Sequence, residues 1–180
     1  LSSEKILFVP EGIGRLYIKG LNLKKEAAPV GVIDAAISTT NFLVVARGSV
    51  TFSRSIPIGV KQMVESQESV NKLLEEINKS MEAYNSEDGA LPVQYFTLTT
   101  ESDVIKNLPT PLKEILKTDV RFTPYTDFVN ASSVKNRLIS DFADDSFLDV
   151  ISSAVFVSKA EVNLMPEEMI VKKTVERQSK

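Results

Sequence analysis

Between residues 31 and 59 the chain reads GVIDAAISTTNFLVVARGSVTFSRSIPIG, and this stretch constrains the fold more than any other. Three apolar, β-branched runs, 32–35, 41–46 and 49–55, are separated by small or polar residues. Runs of that kind bounded by turn residues read as consecutive strands joined by short hairpins. Asp34, Ala35, Ala36 and the hydroxyl series Ser38-Thr39-Thr40 fill the first turn, and Arg47-Gly48-Ser49 makes the second. Val50 and Phe52 alternate with Thr51 and Ser53, as in a strand with one buried face.

After Pro57 and Gly59 the period changes. Val70, Leu73, Leu74, Ile77, Met81 and Tyr84 form one stripe at helical spacing. Glu75 and Lys79 stand four apart on the opposite side, as an i,i+4 ion pair. The apolar run 93–98 suits a buried parallel strand reached by that long crossover. Pro109-Thr110-Pro111 starts a helix carrying Leu112, Ile115 and Leu116, and 119–123 is the next short strand. Upstream, 6–9 and 15–19 read as two short strands around the turn signal Pro10-Glu11-Gly12. Downstream, 129–142 and a stripe of Phe147, Leu148, Ile151, Ala154 and Val155 read as helices. The resulting order, β-β-β-α-β-α-β-α, is an α/β domain of the ribonuclease-H-like type with no internal repeat.

The chain has 180 residues, enough for one domain with a substantial core. It contains neither cysteine nor histidine. Disulfides, Cys/His zinc sites, cysteine nucleophiles and histidine bases are excluded, so any chemistry rests on carboxylates, hydroxyls, Lys and Arg. A net charge of −3 argues against nucleic acid as a partner. No apolar run approaches the length of a membrane span. The absence of an initiator Met gives the expectation of a piece of a longer protein.

Asp34 at a strand end, followed by small residues and three hydroxyls, is a set that phosphate and Mg²⁺ sites use. Turn N–H groups and hydroxyls meet phosphate there, and a carboxylate orders the cation. The same residues also suit an ordinary hairpin whose Asp and Thr side chains bond their own turn. Asp141, Asp144, Asp145 and Asp149 lack the glycine-bearing spacing of a calcium loop, and no metal site is expected from them. Arg54 lies mid-strand, where a salt bridge or a contact between subdomains is expected rather than catalysis.

The stretch from Asp34 to Ser55, continued by Ile56-Pro57-Ile58-Gly59, resembles the D-x-G-x-x-T-T … F-S-R-S-I-P-I-G-G pattern of the PilM family of type IV pilus assembly proteins. Leu73-Leu74-Glu75-Glu76-Ile77-Asn78-Lys79-Ser80 is similar to that family's E-I-x-R-S-L helix. Tyr95-Phe96-Thr97-Leu98-Thr99 is similar to its I-x-L-T-G-G strand. The resemblance covers roughly residues 1–160. It implies the second half of an actin-like ATPase fold, related to FtsA and to the cytoplasmic domain of GspL: a mixed five-stranded sheet with helices, plus a small inserted or appended subdomain. It also implies a nucleotide site at Asp34, Ser38, Thr39 and Thr40, with ATP and Mg²⁺ as the cofactors of an active relative. Three family glycine positions are changed, to Ala36, Val60 and the pair Thr100-Glu101. Glycine permits close approach and positive φ in such turns, so the expectation is a scaffold without catalysis or cofactor. An ATPase or an FtsA-like filament former is the alternative.

Residues 161–180 form a second region. Glu161-Val162-Asn163-Leu164-Met165-Pro166 resembles the I-N-L-L-P segment of PilN, which docks on PilM. The resemblance implies that Val162, Asn163, Leu164, Met165 and Pro166 bind a partner or this chain's own domain. The plainer reading is a strand end and a helix start with Pro166 at its first position. The last nine residues, four basic and one acidic, suit a juxtamembrane position on the cytoplasmic side. The expected role is an assembly-platform component at the cytoplasmic face of a bacterial inner membrane, anchored beyond Lys180, in a type IV pilus or type II secretion system. Expected partners are PilN/PilO-like or GspM-like membrane proteins, a cytoplasmic secretion or extension ATPase, and a second copy in a homodimer.

Overall fold

The computed structural model describes residues 8–23, 28–100, 105, 107–123 and the single residues 152, 164, 166 and 168. The helices read over 129–142 and 144–155 lie outside them, apart from Ser152, which is helical and buried. The elements are α1 (Val9–Gly20), β1 (Val30–Ala35), β2 (Thr40–Ala46), β3 (Ser49–Ile56), α2 (Val60–Glu65), α3 (Gln67–Asn85), β4 (Tyr95–Thr99), α4 (Pro109–Leu116) and β5 (Val120–Phe122). They build one five-stranded sheet in the order β3-β2-β1-β4-β5. The β1–β2 and β2–β3 pairs are antiparallel, and β4 and β5 add in parallel beyond β1. A parallel addition requires a crossover, supplied here by α2 and α3 and then by α4.

The sheet has helices on both faces. Ile33, Ala35, Phe42, Val44, Phe96 and Leu98 form the larger core with Leu73, Ile77 and Tyr84 of α3 and Leu112 and Leu116 of α4. Val32, Leu43 and Val45 on the other face meet Ile13, Leu16 and Tyr17 of α1. Fully burying a side chain such as Leu73 or Ile77 contributes about 1.5–3 kcal/mol relative to exposure. The α3 stripe sits as its spacing requires, with Ser80 also buried because its hydroxyl donates to the Glu76 carbonyl at 2.7 Å. Lys79 pairs with Glu76 at 2.8 Å, one turn back, rather than with Glu75. Glu76 in turn accepts from Arg54 at 2.8 Å, so the expected Arg54 salt bridge is present.

The strand expected over 15–19 is instead the second half of α1. Pro10 lies in the first helical turn, where a missing N–H costs nothing, so Pro10-Glu11-Gly12 opens a helix rather than a turn. Ile13, Leu16 and Tyr17 are spaced for one helical face, and Arg15 pairs with Glu11 at 3.0 Å.

Two local features set the layering. Arg47 and Gly48 both have positive φ, as a two-residue hairpin between right-twisted strands demands. Three residues on, Val45 pairs with Val50 and Val44 with Phe52, which leaves Thr51 as an extra residue. That bulge changes the side-chain parity of β3, so Val50 packs with the α1 layer and Phe52 with the α3 layer.

Gly31 lies opposite Phe96, and a Cβ there would come within 2.0 Å of the Phe96 ring. The ring uses that space to reach Phe42, 5.6 Å away between centroids. Gly31→Ala should cost about 1–3 kcal/mol in urea denaturation by overpacking. Combined with Phe96→Leu the losses should be less than additive, since both changes act on one space. Strict additivity would show that the ring does not fill it.

Candidate functional site

The hairpin tip between β1 and β2 is two residues, Ile37 and Ser38, closed by a bond from the Ala36 N–H to the Thr39 carbonyl at 2.9 Å. No residue of the tip has positive φ. Alanine at position 36 is therefore compatible with the backbone of this tip.

The need for glycine falls elsewhere, at Gly59. A Cβ on Gly59 would lie 2.4 Å from the Ile37 carbonyl oxygen and 2.5 Å from that of Ala36. This close approach lets the start of α2 dock on the tip. The Val60 N–H donates to the Ala36 carbonyl at 2.9 Å and the Lys61 N–H to the Ile37 carbonyl at 3.0 Å. The first N–H groups of a helix have no partner within it; here the hairpin tip supplies them. Gln62 completes the junction by accepting from the Gly59 N–H at 3.0 Å. Val60, at another changed glycine position, points a buried side chain into the core.

The four residues expected to form a nucleotide site are in one place but differ in role. Thr40 is fully buried, and its hydroxyl donates to the Ile58 carbonyl at 2.7 Å, so it fastens β2 to the β3–α2 connection instead of facing a ligand. Ser38 is exposed and Thr39 half-buried at the tip. Asp34 is 1% exposed and faces the α1 layer, with the Asn41 amide at 3.4 Å and Thr99 opposite it on β4. Burial holds the Tyr17 phenol well above its ordinary pKa; the Asp34 carboxylate adds to this, and a hydrogen bond with Thr97 opposes it. Thr97 also donates to the Thr123 hydroxyl at 2.8 Å, and Thr99 to the Thr123 carbonyl at 3.0 Å. A polar seam, absent from the sequence reading, thus runs from Tyr17 to the end of β5. Polar residues alternating along β4 at Thr97 and Thr99 were the signal for it.

A Mg²⁺ ion that arrives with phosphates needs only one or two carboxylates, and Asp34 is the carboxylate at this end of the strands. Among the described residues no group of three acidic, Cys or His side chains could hold a metal by itself. The N–H groups of Ala36, Val60 and Lys61, three of those around the tip, are bonded within the protein. Two cavities lie elsewhere: about 230 Å³ between α2, α3 and residues 105–111, and about 160 Å³ beside Arg47 and Tyr84.

In the C-terminal region Leu164 is 53% exposed and Pro166 is exposed. Leu164 is thus open to solvent rather than sealed in a pocket. Val162, Asn163 and Met165 lie outside the described residues, as does Glu101.

The sheet order, the mixed pairing and the two-sided helical cover define an actin-like α/β fold. Among solved structures the chain resembles a chain of the PilM–PilN type IV pilus biogenesis complex, with a TM-score of 0.58 and 13% identity over 81% of this chain and 51% of that one. The archaeal actin homologue Ta0583 matches at 0.47 and 13% identity, over 83% of this chain and 55% of the other. The ethanolamine utilization protein EutJ from Carboxydothermus hydrogenoformans matches at 0.41 and 15% identity, over 61% and 47%. The chain spans about half the length of these proteins. Its sequence matches no protein-family model and no curated protein.

Gly59→Ala should open the junction. Amide hydrogen exchange at Val60 and Lys61 should accelerate at least tenfold while that of α3 changes little. Thr40→Val leaves the Ile58 carbonyl without its donor and should cost about 1–3 kcal/mol. Unchanged exchange in Gly59→Ala would show that the tip and α2 are held by other contacts.

Proposed function

We propose that this chain is a non-catalytic, actin-like scaffold of an assembly platform, of the kind that serves a type IV pilus or type II secretion machine. Its role is to link membrane partners to a cytoplasmic motor ATPase. The observation that carries this reading is the closed junction at Gly59. The Ala36 N–H closes the hairpin tip, the N–H groups of Val60 and Lys61 hold α2 to it, and the Thr40 hydroxyl holds the β3–α2 connection, where a nucleotide-binding turn presents such groups to phosphate. The likeness to a chain of the PilM–PilN complex supports the choice of machine and suggests a PilN-like partner.

Exposed Leu164 suits a segment that binds another protein rather than its own domain. The candidates are PilN/PilO-like or GspM-like proteins. No helix among the described residues is long and apolar enough to cross a membrane, so the scaffold reaches the cytoplasmic face of the inner membrane through such partners or through sequence outside the described residues.

A second reading, an actin-like ATP-binding protein, is favoured by Asp34, a carboxylate at the end of β1 that leads into the tip carrying the exposed Ser38. Isothermal titration of the intact protein with ATP and Mg²⁺ separates the two. The scaffold reading expects no heat of binding at micromolar protein and millimolar nucleotide. Micromolar affinity that disappears in Asp34→Ala would replace it with the second reading.

A further inference from the structure

The two edges of the sheet are built differently. β5 is three residues long and carries Arg121, paired with Asp119 at 3.2 Å. Shortness and charge are two means by which proteins keep a sheet edge from pairing. β3 spans Ser49–Ile56 at the opposite edge and has neither Lys nor Pro. Its bulge at Thr51 disturbs only the first half, leaving Phe52 to Ile56 as a regular, open edge. Its one charge, Arg54, is tied back to Glu76 beneath the sheet. Among the described residues the backbone of Phe52, Ser53, Arg54 and Ser55 is bonded only toward β2. Among the described residues no other strand lies along the outward half of its N–H and C=O groups, and Ser55 is exposed.

We propose that this edge pairs with the same edge of a second copy, β3 against β3 in antiparallel register, to make one sheet continuous across a two-fold axis. The proposed register keeps the pairing centred within the regular half of the strand. With Ser53 opposite Ser53 on the axis, Arg54 lies opposite Phe52 of the second copy on the α3 face, and no like charges meet. Arg54, already oriented by Glu76, then stands over an aromatic ring, a favourable cross-strand pair. Moving the axis to Arg54 would set two guanidinium groups directly opposite each other, which is unfavourable. A strand edge that satisfies its own hydrogen bonds in an isologous pair closes the assembly at two copies. The inference is independent of the scaffold reading and holds for an ATP-binding protein as well.

The chain contains no cysteine, so a single introduced thiol reports the register. Residues directly opposite on antiparallel strands have Cα atoms about 4.5–5.5 Å apart, within the span of a disulfide. Ser53→Cys should give a covalent dimer on mild oxidation of the whole chain, while Ser55→Cys, several residues from its own copy in this register, should stay monomeric on a non-reducing gel. In sedimentation velocity the unmodified protein should be dimeric at tens of micromolar. Ser53→Lys should be monomeric with an unchanged circular dichroism spectrum. A monomeric unmodified protein, a dimer that persists in Ser53→Lys, or Ser55→Cys cross-linking as readily as Ser53→Cys would each overturn the proposal.

Discussion

Two hydrogen bonds from the first turn of α2 to the β1–β2 tip hold the architecture together. The N–H groups of Val60 and Lys61 meet the carbonyls of Ala36 and Ile37, and Gly59 is what allows the two backbones to come that close. Through them the end of β3 is fixed to the end of β1, although β2 separates those strands in the sheet. The direction in which α2 and α3 leave the sheet is set at the same place. The larger core therefore depends on a junction made mostly of backbone. An N–H left without a partner at a buried helix start costs about as much as a lost apolar contact, so the junction and the core stabilise each other.

Position and chemistry diverge at the candidate site. Asp34 and the tip occupy the end of the sheet where ligands commonly bind in open α/β folds, yet many donors there already have partners within the protein. The polar seam of Tyr17, Thr97, Thr99 and Thr123 shares this layer with buried Asp34, whose carboxylate accepts from the Asn41 amide. A fold can keep such a strand end as structure, because every bond that closes the tip also stabilises the hairpin.

Much of the fold was legible in the sequence. Three strands with short turns, the α3 stripe and the proline-started α4 emerge from periodicity and punctuation, because each depends on residues close together in the chain. The misreading at 15–19 has a local cause as well. Leu16, Tyr17 and Ile18 are contiguous apolar residues flanked by charges, and in so short a window a strand and a helix face look alike. The site was legible only by location. Asp34 and the hydroxyls marked the turn, but what the turn does depends on Gly59 and Ile58, far along the chain. A glycine required by another segment's carbonyl oxygens leaves no mark in its own neighbourhood.

The bulge at Thr51 has a consequence for how a chain with this fold can vary in length. Val50 belongs to one core and Phe52 to the other, with a single residue between them. Lengthening the hairpin at Arg47-Gly48 leaves both assignments intact. Losing Thr51 would also leave them intact, because Val50 would stay on Val45 and Phe52 on Val44, residues that already face opposite cores. A one-residue slip of β3 along β2 would instead exchange the two cores at once. Related chains should therefore differ in length at the hairpin tip or at the bulge itself, but not in the register of β3 on β2 to either side of it.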